Sequence, residues 1–124
     1  MIQSDPPVLD SKTVDQLLAL DDGGLGLFLE MLELFKEDTP GRIASMPALV
    51  ASGEIGELAD VAHAIKGAAS TMGATRLRYA AAAVEAAGRK GEPGADFPTM
   101  LEKIRMEYTE AVQAMEDFRI AKQN

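Results

Sequence analysis

Residues 59–73 read ADVAHAIKGAASTMG, an alanine-rich segment that contains the only histidine of the chain, His63. Residues three and four positions apart lie on one face of a helix, so His63, Lys66, Gly67 and Ser70 share a face. The apolar residues fall on the other side, at positions 55, 58, 62, 65, 69 and 72. The pattern therefore predicts a helix with an apolar core face and a histidine that points outward or to the rim of the core.

The face that carries His63 has the properties of a phosphoryl-accepting site. A neutral imidazole with an open approach is a nucleophile, and the ammonium group of Lys66 one turn away offsets the charge of a phosphoryl group. Gly67 costs a helix interior about 1 kcal/mol relative to alanine, so its presence indicates that space beside His63 is needed. A close contact between helices remains a second explanation for Gly67.

The same helical spacing continues in both directions along the chain. A short helix is expected at 13–20, with a capping box from Thr13 to Gln16, and further helices at 54–72, 75–90 and 97–121. The segment 25–52 contains Pro40 and Pro47, which predict one bent helix or two coaxial pieces. These elements predict an all-α fold, an antiparallel four-helix bundle with a short additional N-terminal helix. Residues 1–12 are expected to form an extended lead-in, and residues 13–121 a single domain.

Composition agrees with long helices and narrows the possible functions. Apolar residues make up 47% of the 124 residues and aromatic residues only 5%, so aliphatic side chains and methionine must build the core. The net charge of −8 disfavours nucleic acids and membrane surfaces as partners. The chain has no cysteine and no apolar run long enough to span a membrane, and residues 1–10 do not resemble a leader, so a cytoplasmic protein is expected.

Charge is distributed unevenly along the acidic chain. Residues 63–90 contain a single acid, Glu85, among five basic residues: Lys66, Arg76, Arg78, Arg89 and Lys90. This local excess of positive charge favours an anionic group as ligand or partner. Solvated helix faces would explain the same pattern.

The segment AHAIKGAASTMG at 62–73 resembles the signature of histidine-containing phosphotransfer (HPt) domains. The matching residues are Ala62, His63, Ile65, Lys66, Gly67 and Gly73. The segments LDDGG at 20–24, LFLEMLELFKEDTP at 27–40 and GATRLRYAAAAVEAAGRKG at 73–91 resemble the family's flanking regions, so the resemblance extends over about residues 8–118.

The resemblance implies a function and roles for individual residues. HPt domains are four-helix bundles that carry phosphoryl groups between receiver-domain aspartates and have no kinase activity of their own. It implies that Nε2 of His63 accepts the phosphoryl group and that Lys66 and Gly67 support the site and docking. In some members a glutamate twenty-two positions after the histidine, here Glu85, accepts a hydrogen bond from the other ring nitrogen. A salt bridge from Glu85 to Arg89 at i+4 is the alternative.

The expected partners are response-regulator receiver domains and a hybrid histidine kinase. The docking surface is expected around His63, at Ala59, Ala64, Gly67 and Ser70, together with part of the 25–38 helix. No metal site is expected in this chain, and magnesium is expected on the receiver. A monomeric, freestanding relay protein is the main hypothesis. The alternatives are a phosphoacceptor module of a larger hybrid or chemotaxis-type kinase, and a helical adaptor without chemistry.

Overall fold

The computed structural model describes residues 6–123, which form five helices and no strand. The helices are α1 (Ser11–Ala19), α2 (Gly26–Ala51), α3 (Ile55–Met72), α4 (Thr75–Lys90) and α5 (Phe97–Gln123). Helix α3 packs on α2 and α4, and α5 packs on α4 and α2, so these four helices close into a bundle. Short loops reverse the chain between them, and α1 packs across α2 and α3. The predicted all-α, antiparallel four-helix bundle with an added N-terminal helix is confirmed.

The core is aliphatic, as the low aromatic content predicts. Alanines fill the interface of α3 and α4, and larger side chains fill the bundle axis; the fully buried ones include Phe28, Met46, Leu58, Ile65, Met72, Leu77, Ile104 and Met115. Small alanine side chains allow helix axes to approach closely, which matters for a site built across two helices. Within residues 6–123, no helix combines the length and apolar character needed to cross a membrane.

Helix α2 is one continuous helix despite its two prolines. Pro40 and Pro47 both lie on the exposed side, whereas Phe35, Thr39 and Met46 face the core. A proline removes one hydrogen bond from the helix ladder, and packing of the apolar stripe outweighs that loss here. The sequence left two arrangements open for residues 25–52, one bent helix or two coaxial pieces, and the structure excludes the second.

Helix α1 begins earlier than its sequence pattern predicts. Asp10, not Thr13, is the N-cap: its carboxylate accepts hydrogen bonds from the backbone N–H of Lys12 and the hydroxyl of Thr13. The predicted Thr13–Gln16 capping box is therefore wrong, because the backbone N–H of Asp10 donates to the carbonyl of Gly73 and fixes where the chain enters the helix. The predicted lead-in is shorter than 1–12, and residues 1–5 lie outside the described part of the chain.

Gly73 ends α3 and holds α1 against the bundle. Its φ of 72° lies in the left-handed region, which glycine adopts without strain. A Cβ on Gly73 would lie 3.0 Å from the Cβ of Thr13 and 3.2 Å from the carbonyl oxygen of Asp10. The last residue of the motif is therefore a structural one, required by the backbone and by the close approach of α1.

Candidate functional site

His63 lies on the outer surface of α3, on the side that faces α4. Its side chain is 64% exposed, which confirms the expectation of an outward-pointing ring. The ring nitrogen Nδ1 lies 2.8 Å from Oε2 of Glu85 on α4. Among residues 6–123, no side chain or backbone group forms a hydrogen bond with Nε2. One nitrogen is therefore engaged and the other faces solvent.

Glu85 carries the negative charge at the centre of this site. Its Oε1 lies 2.6 Å from Nζ of Lys66, and its side chain is only 15% exposed. The hydrogen bond from Lys66 lowers the pKa of Glu85 below its ordinary value, burial opposes that shift, and the bond to His63 adds to it. The carboxylate is thus ionised near neutral pH and can only accept hydrogen bonds. When the ring of His63 is neutral, Nδ1 therefore carries its proton and Nε2 keeps a free lone pair.

The alternative contact for Glu85, a salt bridge to Arg89, is weak in this structure. The guanidinium of Arg89 lies 3.9 Å from Oε2 of Glu85, whereas it lies 2.8 Å from Oδ1 of Asp60 on α3. Arg89 therefore pairs across the helix interface with Asp60. The contact between His63 and Glu85 that the family resemblance implied is present.

Gly67 faces open space. A Cβ built on it would meet no atom within 4 Å, so Gly67 is not a close contact between helices. That role belongs to Gly88 on α4, where a Cβ would lie 3.0 Å from the Cβ of Ala59 and 3.2 Å from the carbonyl oxygen of Ile55. The exposed backbone at Gly67, one turn after His63, leaves the approach to the ring clear.

The prediction that Ala59 belongs to the docking surface is wrong. Ala59 is fully buried between α3 and α4, because it packs on Gly88, so it cannot contact a partner. Gly67 and Ser70 are exposed, and Ala64 is half-buried on the side of α3 that faces α2. The accessible small residues therefore form a strip along α3 that starts beside His63 and turns toward α2.

Two contacts of this site were missed at the level of sequence. The bond from Lys66 to Glu85 and the ion pair of Arg89 with Asp60 both cross from α3 to α4. The sequence does show that Asp60, three residues before His63, lies on the same side of the helix as His63. It does not show which helix packs against that side, or how that helix is rotated. Among the described residues, no group of three or more histidine or acidic side chains is arranged to hold a metal ion.

Comparison with known proteins agrees with the geometry. The sequence matches the family model described as the Hpt domain over residues 30–117. The fold is similar to the crystal structure of histidine-containing phosphotransfer protein B (HptB) from Pseudomonas aeruginosa PAO1. The TM-score is 0.81 at 25% sequence identity, and the match covers 94% of this chain and 98% of that one. No curated protein matches the sequence significantly.

The family match covers more than half of the chain and contains α3 and α4, which carry His63, Lys66 and Glu85. An exposed imidazole with one free nitrogen is the feature that such a domain needs in order to carry a phosphoryl group. The chain therefore belongs to the Hpt domain family and is a histidine phosphotransfer module of two-component phosphorelays.

Proposed function

We propose that His63 accepts a phosphoryl group from the aspartate of a receiver domain and passes it to the aspartate of another. The observation that carries the proposal is an exposed ring with one engaged nitrogen: Nδ1 lies 2.8 Å from Oε2 of Glu85, and Nε2 has no hydrogen-bond partner among residues 6–123. Hpt domains partner with receiver domains and histidine kinases in phosphorelays, and as a family they are phosphocarriers, not kinases.

The transfer step follows from the protonation of the ring. The Nε2 lone pair attacks phosphorus in line, the Nε2–P bond forms, and the P–O bond to the aspartate carboxylate breaks. The carboxylate leaves with the electron pair, and Nδ1 keeps its proton throughout. The positive charge that the ring acquires is offset by Glu85, which lies 2.8 Å away. Reversal of the same steps on a second receiver returns the ring to its starting state.

Lys66 is expected to stabilise the charge of the phosphoryl group. Its Nζ is held by Glu85 at 2.6 Å, and a third of its side chain is exposed, so the ammonium remains available beside the ring. Phosphoryl transfer has a loose transition state, in which positioning and charge stabilisation contribute most of the rate. Magnesium, which bridges phosphoryl oxygens in such reactions, is expected on the receiver and not on this chain.

The docking surface that we propose runs from Gly67 and Ala64 on α3 to Leu34 on α2. Leu34 is 52% exposed although it is a large apolar residue. A hollow of about 150 Å³ lies between the two helices and is lined by Leu34, Ala64 and Ala68 together with neighbouring residues. A small apolar surface beside the reactive nitrogen suits a transient signalling contact, which is modest in area. Ser70 extends this surface toward the end of α3.

Transfer to His63 can be measured directly with a receiver domain that has been phosphorylated on its aspartate. We expect the wild-type protein to take up the label in an acid-labile, alkali-stable form, as a phosphoramidate does, and His63→Gln to take up none. Because His63 is the only histidine of the chain, no other imidazole can substitute. Equal far-UV circular dichroism of the two proteins is the control for folding, and labelling of His63→Gln would contradict the proposal.

The identity of the phosphoryl donor distinguishes a relay protein from a module of a kinase. A relay protein is loaded by a phosphorylated receiver, and a chemotaxis-type module is loaded by a kinase domain with ATP. We expect the receiver to be the efficient donor. Efficient loading by a kinase domain with ATP and none by receivers would favour the module instead, and receiver binding without any labelling would favour a helical adaptor.

A further inference from the structure

Arg89 lies between two carboxylates that come from different helices. One guanidinium nitrogen lies 2.8 Å from Oδ1 of Asp60 on α3, and another lies 3.9 Å from Oε2 of Glu85 on α4. The first distance is that of a direct ion pair, and the second is longer than a hydrogen bond. Asp60 thus holds the guanidinium on the α3 side of the interface.

The carboxylate oxygen that Arg89 does not reach is the one that His63 uses. Oε2 of Glu85 lies 2.8 Å from Nδ1 of His63. Arg89 follows Glu85 by one helical turn, a spacing at which an arginine readily closes on a carboxylate. A guanidinium presents a rigid fork of donors that matches a carboxylate and would draw negative charge away from the oxygen shared with His63.

We propose that Asp60 is a positioning residue for His63, because its ion pair with Arg89 keeps the guanidinium off Oε2 of Glu85. This inference rests on the proposed phosphoacceptor function and adds a residue that acts on His63 only through Arg89 and Glu85. With Asp60 present, Nδ1–H of His63 is the only close donor to Oε2 of Glu85, while Lys66 binds Oε1, so the lone pair of the neutral ring stays on Nε2. Without Asp60, Arg89 competes for the same oxygen and the ring loses part of its orientation and basicity.

The consequence can be measured with a donor that needs no docking, phosphoramidate. Its phosphorus is attacked by Nε2 of His63, the Nε2–P bond forms, and the P–N bond to the ammonia leaving group breaks. Ammonia departs with the electron pair, and Nδ1 keeps its proton against Glu85. The rate therefore reports the strength of the Nε2 nucleophile and is insensitive to a receiver surface.

The test uses Asp60→Asn, Arg89→Gln and the double variant. Glu57→Gln is the matched control, because Glu57 is an exposed acid on α3 that forms no ion pair among the described residues. Two readouts are taken: the tautomer of His63 from long-range ¹⁵N–¹H correlation spectra at a pH where the ring is neutral, and the phosphorylation rate from ³¹P spectra. The assignment is unambiguous because the chain has one histidine.

We expect Asp60→Asn to lower both the fraction of the Nδ1–H tautomer and the phosphorylation rate. A loss of about fivefold in rate is the size expected when one hydrogen bond to an ionised group is weakened and not removed. Arg89→Gln removes the competitor, so the double variant should match Arg89→Gln, and Asp60→Glu should restore the ion pair and the rate. Glu57→Gln should behave like the wild type.

Two results would overturn the inference. In the first, Asp60→Asn is indistinguishable from Glu57→Gln in both readouts. In the second, Asp60→Asn has its full effect in the Arg89→Gln background, so that Asp60 does not act through Arg89. Asp60 is 67% exposed, and equal urea denaturation midpoints would show that folding is unaffected. A wild-type protein that a phosphorylated receiver does not label would contradict the proposed function, whereas the tautomer comparison would still decide the role of Asp60.

Discussion

Gly88 on α4 packs directly against Ala59 on α3. A Cβ on Gly88 would lie 3.0 Å from the Cβ of Ala59 and 3.2 Å from the carbonyl oxygen of Ile55. Ala59 lies one turn before His63, and Gly88 lies three residues after Glu85. The contact therefore sets the distance between the two helices at the point where His63 and Glu85 meet.

Gly88→Ala is expected to destabilise the domain. The alanine methyl would press on a backbone carbonyl and a buried side chain, and overpacking of this kind costs roughly 1–3 kcal/mol. Over most of that range the cost exceeds the gain of about 1 kcal/mol in helix propensity. Urea denaturation measures the free energy of unfolding, and a shift of the His63 ring resonances would report that α3 and α4 have moved apart. An increase in stability would mean that the interface yields without strain.

Gly67→Ala is the matched substitution on the exposed face of α3 and is expected to have the opposite effect on stability. Its methyl group meets nothing within 4 Å, so the free energy of unfolding should rise by about 1 kcal/mol. Transfer from a phosphorylated receiver should nevertheless slow, because the methyl narrows the approach beside His63. Phosphorylation by phosphoramidate serves as the control and should stay unchanged. Undiminished transfer from the receiver would remove Gly67 from the docking surface.

Lys66→Ala is expected to slow phosphoryl transfer without unfolding the domain. The substitution removes the cation that lies 2.6 Å from Glu85 and that, in the proposed function, stabilises the incoming phosphoryl group. Loss of such a stabilising charge should reduce the rate by about tenfold or more. Lys90→Ala is the control, because Lys90 is 70% exposed and lies 4.0 Å from its nearest acid. Equal transfer rates for the two variants would exclude Lys66 from the site.

Glu85→Gln should change how stability depends on pH. Its pKa is lowered from the ordinary 4.5, mainly by the hydrogen bond from Lys66, so near that pH the folded state binds fewer protons than the unfolded state. The contribution of Glu85 to stability is therefore complete above about pH 4.5 and is lost as the pH falls through the folded pKa. The difference in unfolding free energy between wild type and Glu85→Gln should shrink over that range.

Other carboxyl groups also have a lowered pKa, among them Asp10, Asp96, Glu102 and Glu116, and their titration has to be separated from this effect. The pKa of Glu116 is also lowered, by hydrogen bonds from Arg119 and Lys36. Glu116 titrates in the wild type and in Glu85→Gln alike, so its contribution cancels in the difference. If the difference in unfolding free energy between wild type and Glu85→Gln stays constant down to the pH of acid unfolding, the charge of Glu85 does not contribute to stability.

The positions of the four long helices could be predicted from the sequence. The spacing of apolar residues identified α2 to α5 to within a few residues. The motif around His63 identified the family and the outward orientation of the His63 ring. These features depend on neighbours three and four residues away, which a linear sequence contains directly.

The start of α1 and the role of Ala59 required the tertiary structure. Asp10 caps α1 because the carbonyl of Gly73, far along the chain, fixes its backbone. Ala59 was predicted to be accessible because it lies near His63 on the helix, yet the approach of Gly88 buries it. In both cases a contact with a segment distant in sequence overrides what the neighbouring residues alone predict.

The sequence by itself determined which helix carries His63 and which residues lie on the same face. Only the tertiary structure decided that Glu85 is shared by His63 and Lys66, and that Arg89 turns to Asp60. The physical reason is that these contacts depend on the distance and rotation between α3 and α4. Small residues such as Gly88 set that geometry, and side-chain spacing along one helix carries no information about it.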